Sequence, residues 1–263
     1  MKAMILAAGK GTRMLPFTEN KPKALLEVQG ITLLEHTILY LKYYGVEEII
    51  INIHHYSKQI IDFVKRNSSF GLRIEFSDES DELLDTGGGL YKARWFFSDG
   101  KPFVLTSSDV ITNLDLQEMY RYHEKNSPMA TLAVKHRKSS RDFLFDQDYR
   151  LCGWHNNTTS ETRVVRLVHN QVKIAFSTIH ILNPAIFDNI TERGRFSIID
   201  VYLRLAPVQR IMGFEHDQSL WFECGRIENL ESLNQAPEIM TIYNQFHQSQ
   251  NNGTHGCKNS RME

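Results

Sequence analysis

Only three cysteines, Cys152, Cys224 and Cys257, stand in the 263 residues, far apart and without Cys-x-x-Cys spacing. That argues against a disulfide framework and against a zinc knuckle. A run of about 18 apolar residues, the length needed to span a bilayer, is also lacking. The apolar start at residues 3–8 is shorter than the core of a signal peptide and meets the charged Lys10 and Arg13 at once. The expected compartment is the cytoplasm, and the glycosylation-type triplets at Asn67 and Asn189 read as chance composition. Charge of one sign is missing too: Lys plus Arg total 30 against 31 Asp plus Glu, a formal net charge of -1. The footprint of a protein that wraps nucleic acid or coats an anionic membrane is therefore absent, so neither partner is expected and any phosphate must be bound locally.

What is present is ordinary globular material, 41% hydrophobic and 23% charged, in a length that one α/β domain can hold. The first half alternates short apolar runs with helical patterns, the signature of βαβ units and a parallel sheet. Residues 3–8, Glu48–Ile53, 72–76 and 103–106 read as buried strands. Thr32 and Glu35 have capping-box spacing, Leu34, Ile38 and Leu41 then share a helical face, and Gly45 stands where a C′ glycine belongs. A second helix over 57–67 turns Ile60, Ile61 and Val64 inward. From about 129 to 215 the texture changes to short alternating runs, among them Ala130–Lys135, 164–168 and 172–176, which predict antiparallel strands added to the sheet. Ser197 caps a further helix running to about Leu205. The expected domain spans 1–247, and 248–263 loses all periodicity and reads as a disordered tail. In open α/β sheets ligands sit beyond the carboxyl ends of the strands, which singles out the residues after 8, 53 and 106.

After the first strand comes Gly9-Lys10-Gly11-Thr12-Arg13. Without Cβ atoms such a turn can bring N–H groups against phosphate oxygens, although a Gly-x-Gly turn is also an ordinary way to leave a strand. Met14 occupies the third glycine position of a dinucleotide fingerprint, and no P-loop pattern is present. The continuation is more specific: LAAGKGTRMLPFTENKPKALLEV resembles the signature of the sugar-1-phosphate nucleotidyltransferase family, with Phe17 and Ala24 as mild departures. The resemblance covers most of residues 1–235. It implies an α/β, Rossmann-like, three-layer αβα fold with a mixed, mostly parallel central sheet. It also implies that Ala7, Ala8, Gly9, Gly11, Thr12 and Arg13 cradle a nucleoside triphosphate, with Arg13 and Lys23 as the catalytic cations. The chemistry agrees, since Arg offers a planar fork and Lys a compact point charge to crowded phosphates.

Asp85-Thr86-Gly87-Gly88-Gly89 opens a helical stretch over 90–97, whose N–H groups are free to meet an acceptor. In the resemblance this segment faces the nucleobase, making Thr86 and Gly88 nucleotide contacts. The acidic run Asp78, Glu79, Asp81, Glu82 lacks the spacing of a calcium loop and reads as a solvated loop. Asp109 follows a buried strand, where a carboxylate is costly; the family has Gly-Asp here and this chain Ser108-Asp109. Nucleotidyl transfer needs Mg²⁺, and Asp109 is the expected ligand. The family's second carboxylate falls on Glu223, where aspartate is usual. Residues 176–182 resemble the sugar-side strand, giving Thr178 and Ser197 as sugar contacts. His54-His55 and Asn52 read as polar strand ends, and Cys224 as a small buried residue. The implied substrates are a nucleoside triphosphate and a sugar 1-phosphate, first UTP with N-acetylmuramate 1-phosphate. A guanylyltransferase for heptose or mannose 1-phosphate is the alternative within the class. Ser108 and Glu223 keep open a different class, a catalytically weakened regulatory homologue.

Overall fold

Strand Lys2–Leu6 is covered on both faces, with Ala3, Met4 and Ile5 fully buried. It lies parallel to Glu48–Ile53 on one side and to Phe103–Ser107 on the other, and Arg73–Asp78 extends the parallel block beyond Glu48–Ile53. The first three are the near-continuous apolar runs of the first half, and burial on both faces is why they do not alternate, whereas the edge strand Arg73–Asp78 mixes polar and apolar residues and is mostly half-buried. The first strand stops at Leu6, short of Ala8, because the Ala7 N–H leaves the ladder and donates to the Asn52 side chain at 2.7 Å. The computed structural model describes residues 1–252.

The second half builds outward from the long strand Val172–Leu182. It runs antiparallel to Phe103–Ser107, Ala130–Lys135 and Arg141–Phe145, while Leu151–Asn156 and Thr162–Val164 continue that edge. Ile211–Glu215 returns parallel to Ala130–Lys135, completing a mixed ten-stranded sheet. One expected strand is misplaced: of 164–168 only Val164 belongs to the sheet, as the end of Thr162–Val164. The N–H groups of Val165 and Arg166 both turn to the Cys152 carbonyl, at 2.8 and 3.0 Å, and the Arg166 guanidinium reaches Asp146 at 3.1 Å.

Alternate residues of the central strands feed two cores, which makes three layers. Ala3 and Ile5 pack with the helices Leu33–Tyr43 and Ser57–Arg66, and Met4 and Ile50 with Asp85–Lys92 and Ile198–Leu205. Helix Leu33–Tyr43 begins as expected, with the Thr32 hydroxyl accepting from the Glu35 N–H at 3.2 Å. The last helix, Pro237–Asn252, runs into the stretch expected to be a tail from 248. Ile239, Ile242 and Phe246 are buried in the first core, and the Phe246 ring meets Tyr40 with centroids 5.6 Å apart, which anchors that helix. Residues 253–263, including Cys257, lie outside the described residues. Among those described, no helix is long and apolar enough to cross a membrane.

Candidate active site

The parallel strands Lys2–Leu6 and Phe103–Ser107 end side by side, and beyond their carboxyl ends lies a cavity of about 310 Å³. One wall is the turn of Gly9, Gly11, Thr12 and Arg13; the other is Ser108, Asp109 and Gly225. The turn has a fixed shape. Gly11 sits at φ 65°, and a Cβ there would stand 2.9 Å from the Thr18 methyl and 3.3 Å from Lys23 Cβ, so the backbone and the space both demand glycine. The Thr18 hydroxyl donates to the Gly11 carbonyl at 2.9 Å. Gly9 differs: a Cβ added there would meet nothing within 4 Å, so the protein's own packing is not what keeps it bare. Ala7 lines the cavity, whereas Ala8 is buried and lines neither this cavity nor the larger one beside it.

Asp109 stands at the junction. The Lys23 ammonium donates to its Oδ2, and the Ser107 hydroxyl to its Oδ1 at 2.6 Å. Burial works to raise the Asp109 carboxyl, but the Lys23 charge and these hydrogen bonds outweigh it, leaving the group below the usual carboxylate range. Glu223 arrives from the opposite strand of a small ribbon, Trp221–Glu223 against Val110–Thr112, whose register is extended by the Cys224 N–H donating to the Asp109 carbonyl at 2.8 Å. Gly225 completes a cradle: a Cβ there would lie 3.1 Å from Glu223 Oε1, 3.1 Å from Lys23 Nζ and 3.5 Å from Asp109 Oδ2. Two carboxylates and one ammonium thus converge on a space that only a glycine leaves open. Cys224 beside them is fully buried, and burial pushes its thiol up, so it is no nucleophile.

A second cavity, about 760 Å³, adjoins the first and shares Arg13, Ser107 and Asp109 with it. Its far wall was not foreseen in the sequence. The Arg137 guanidinium lies 3.9 Å over the Trp221 ring and donates to the Phe176 carbonyl at 2.7 Å, with Asp142, Trp154 and Arg226 nearby on the lining. A visible signal existed: His136, Arg137, Lys138 and Arg141 crowd the short stretch from the end of Ala130–Lys135 to the start of Arg141–Phe145 in a chain of near-zero net charge. Thr178 lines this cavity too, but its hydroxyl is already 3.0 Å from Ser107 Oγ.

Thr86, Gly88 and Ser197 line neither cavity. The helix begins at Asp85, earlier than expected, so the glycines form its first turn and do not precede it. The Gly87 and Gly88 N–H groups are spent, both donating to the Phe196 carbonyl at 2.9 and 3.3 Å. The Thr86 and Ser197 oxygens accept from Ile198 N and Ile199 N at 3.0 and 3.2 Å, fastening the next helix. All three glycines answer to packing: Cβ atoms would come within 2.4 Å of the Phe196 ring, 2.4 Å of the Gly194 carbonyl and 2.5 Å of Glu79 Oε1. Glu79 corrects the reading of a solvated acidic loop. It is fully buried, accepting from Asn52 Nδ2 at 2.7 Å and Leu84 N at 3.0 Å, and burial holds its carboxyl above the usual range. Asn52 therefore ties the glycine turn, through Ala7, to the helix start. A lone Asn at the end of the apolar run Glu48–Ile53 was its sequence signal. Replacing Gly88 with alanine is expected to cost about 1–3 kcal/mol, since backbone lies on the far side of the clash; an unchanged midpoint in urea unfolding would contradict this.

Known proteins resemble this chain in sequence and in fold. A sequence model of the family described as nucleotidyl transferase matches residues 2–238. The N-acetylmuramate alpha-1-phosphate uridylyltransferase of Neisseria meningitidis is 31% identical over 232 residues, 88% of this chain and 96% of its own length. The mannose-1-phosphate guanyltransferase of Yarrowia lipolytica is 29% identical over 234 residues, covering 86% of this chain and 61% of its own. Among solved structures, that of HddC from Yersinia pseudotuberculosis complexed with GMP-PN superposes with a TM-score of 0.70 at 20% identity, over 89% of this chain and 98% of that one. With the family model spanning nearly the whole sheet and the Neisseria relative matched almost end to end, the chain belongs to the nucleotidyl transferase family.

Proposed function

We propose that the protein is a sugar-1-phosphate nucleotidyltransferase that joins a nucleoside triphosphate to a sugar 1-phosphate and releases pyrophosphate. The observation that carries this reading is the meeting of two cavities at Arg13, Ser107 and Asp109, with the Lys23 ammonium on the same carboxylate. The smaller cavity takes the triphosphate. Its open Gly9, the N–H groups of the turn, Arg13 and Lys23 offer an anion what the strand ends alone do not. The larger takes the sugar 1-phosphate, whose phosphate oxygen attacks the α-phosphorus in line while pyrophosphate departs on the opposite side. No covalent enzyme intermediate is required, in keeping with the buried Cys224.

The residues fit Mg²⁺: Asp109 and Glu223 are hard oxygen donors facing one cradle over Gly225, and such an ion takes one or two carboxylates plus substrate oxygens. When bound, it supplies positive charge against the α-phosphate and the leaving pyrophosphate. Glu223, one methylene longer than aspartate, still points its Oε1 into that cradle, which favours an active enzyme over a weakened regulatory homologue. Arg13 and Lys23 orient the phosphates, and Arg137 on Trp221 gives the sugar side a fixed donor over an aromatic floor.

UTP with N-acetylmuramate 1-phosphate is the preferred pair, because the chain matches the Neisseria uridylyltransferase over nearly its full length. A guanylyltransferase acting on mannose or heptose 1-phosphate is the second reading, favoured by the Yarrowia relative, which extends well beyond the matched part. Pyrophosphate release, measured with each of four nucleoside triphosphates against a panel of sugar 1-phosphates with and without Mg²⁺, tests all of this. Release is expected with one pair and only with the metal. Nucleotide binding without release from any pair would leave the regulatory homologue as the reading.

A further inference from the structure

We propose that Thr178 is a positioning residue for the reacting centre, held in a strained backbone conformation so that its hydroxyl orients Asp109 through Ser107. This rests on the reading of Asp109 as the carboxylate at that centre. Thr178 has φ +60° although it is β-branched, and in this left-handed region a side chain branched at Cβ is a marked outlier. The outlier falls where the register of Val172–Leu182 against Ala130–Lys135 shifts, between Phe176 and His180.

Such strain persists only where the surroundings enforce it. Here three contacts from outside the strand do so. The Phe176 carbonyl takes the Arg137 guanidinium at 2.7 Å, and the Ser177 carbonyl takes the Trp221 indole N–H at 3.1 Å. The buried Ser177 hydroxyl lies 2.8 Å from His216 Nε2. With the two carbonyls just before it fixed, Thr178 is carried to the end of Phe103–Ser107, where its Oγ1 stands 3.0 Å from Ser107 Oγ. The Ser107 hydroxyl has one proton and gives it to Asp109 Oδ1 at 2.6 Å. Thr178 is therefore the donor to Ser107, so the chain runs Thr178 to Ser107 to Asp109 and fixes one carboxylate oxygen while Lys23 holds the other. A glycine would accept this backbone without strain, so what threonine adds is the hydroxyl. With its proton given to Ser107, that hydroxyl has only lone pairs left to offer a sugar, and a loss confined to the KM for the sugar separates such a contact from the positioning role.

The test compares Thr178→Gly, Thr178→Val and Thr178→Ser in the full-length protein by thermal unfolding and by steady-state pyrophosphate release. Relief of backbone strain is expected to make Thr178→Gly melt above Thr178→Val, and no lower than the parent protein. Both are expected to lose about 10–100-fold in kcat, the cost of a slightly misplaced group, with the KM values for both substrates little changed. Thr178→Ser is expected to recover most of the rate. Full kcat in the Gly and Val variants overturns the proposal, as does a loss confined to the KM for the sugar. A Gly variant that melts below the Val variant overturns the strain argument. If the parent protein shows no turnover with any substrate pair, the functional reading fails instead, and the order of melting temperatures still decides whether Thr178 is strained.

Discussion

Asp109→Ala is expected to lower turnover by about 10³-fold or more while the protein stays folded. The two halves of that expectation come from different atoms of the same residue. The Asp109 backbone carbonyl accepts from Cys224 N and so stitches the ribbon of Trp221–Glu223 and Val110–Thr112 together, a bond alanine keeps. The carboxylate, 23% exposed, faces the junction of the cavities and packs nothing of the core. Its loss leaves the Lys23 ammonium without its hydrogen-bonded anion, but at a cavity wall where water can solvate it. The stability cost should therefore stay near 1 kcal/mol, the worth of a partly exposed pair. Pyrophosphate release and a melting curve on the same preparation check both halves. Activity within about tenfold of the parent would remove Asp109 from the reacting centre, and a collapsed melting transition would make it a structural residue.

The sequence announced the parallel block and the triphosphate side because both are local. Residues 3–5 and 49–51 are apolar without interruption since both faces are covered, and the turn of Gly9, Gly11, Thr12 and Arg13 keeps its residue types and spacing within a few positions. What escaped is non-local. Arg137 and Trp221 are 84 positions apart and meet only because the ribbon of Trp221–Glu223 and Val110–Thr112 folds back to the connection after Ala130–Lys135. Asn52 and Glu79 looked like a strand end and a loop acid, and only the parallel pairing of Glu48–Ile53 with Arg73–Asp78 brings them together. The three glycines at 87–89 suggested an open N-terminus. In the fold their missing side chains are filled by Phe196, Gly194 and Glu79, a constraint that belongs to packing between distant segments. The strain at Thr178 had no sequence signal, because the residue type is one that backbone preference would avoid there.

The cradle over Gly225 also sets what can replace Lys23, and this carries the second large effect. Lys23→Met is expected to lower kcat/KM for the nucleoside triphosphate by about 10²–10³-fold, the size of losing one charge-assisted donor in a closed site. Lys23→Arg should not restore it. The ammonium is a point charge lodged 3.1 Å from the Cβ position that glycine leaves open, with its side chain only 14% exposed, and a planar guanidinium needs more width than that. Because Lys23 and Asp109 are joined directly, the variants are also expected to be non-additive. In the cycle of Lys23→Met and Asp109→Asn, the double variant should lose less than the product of the two single losses, since each single change already disarms the shared pair. Losses that multiply would mean that the two residues act on separate steps. The triphosphate-side cation and the carboxylate would then be neighbours in the structure without being one reacting centre, and the meeting of the two cavities would lose its chemical meaning.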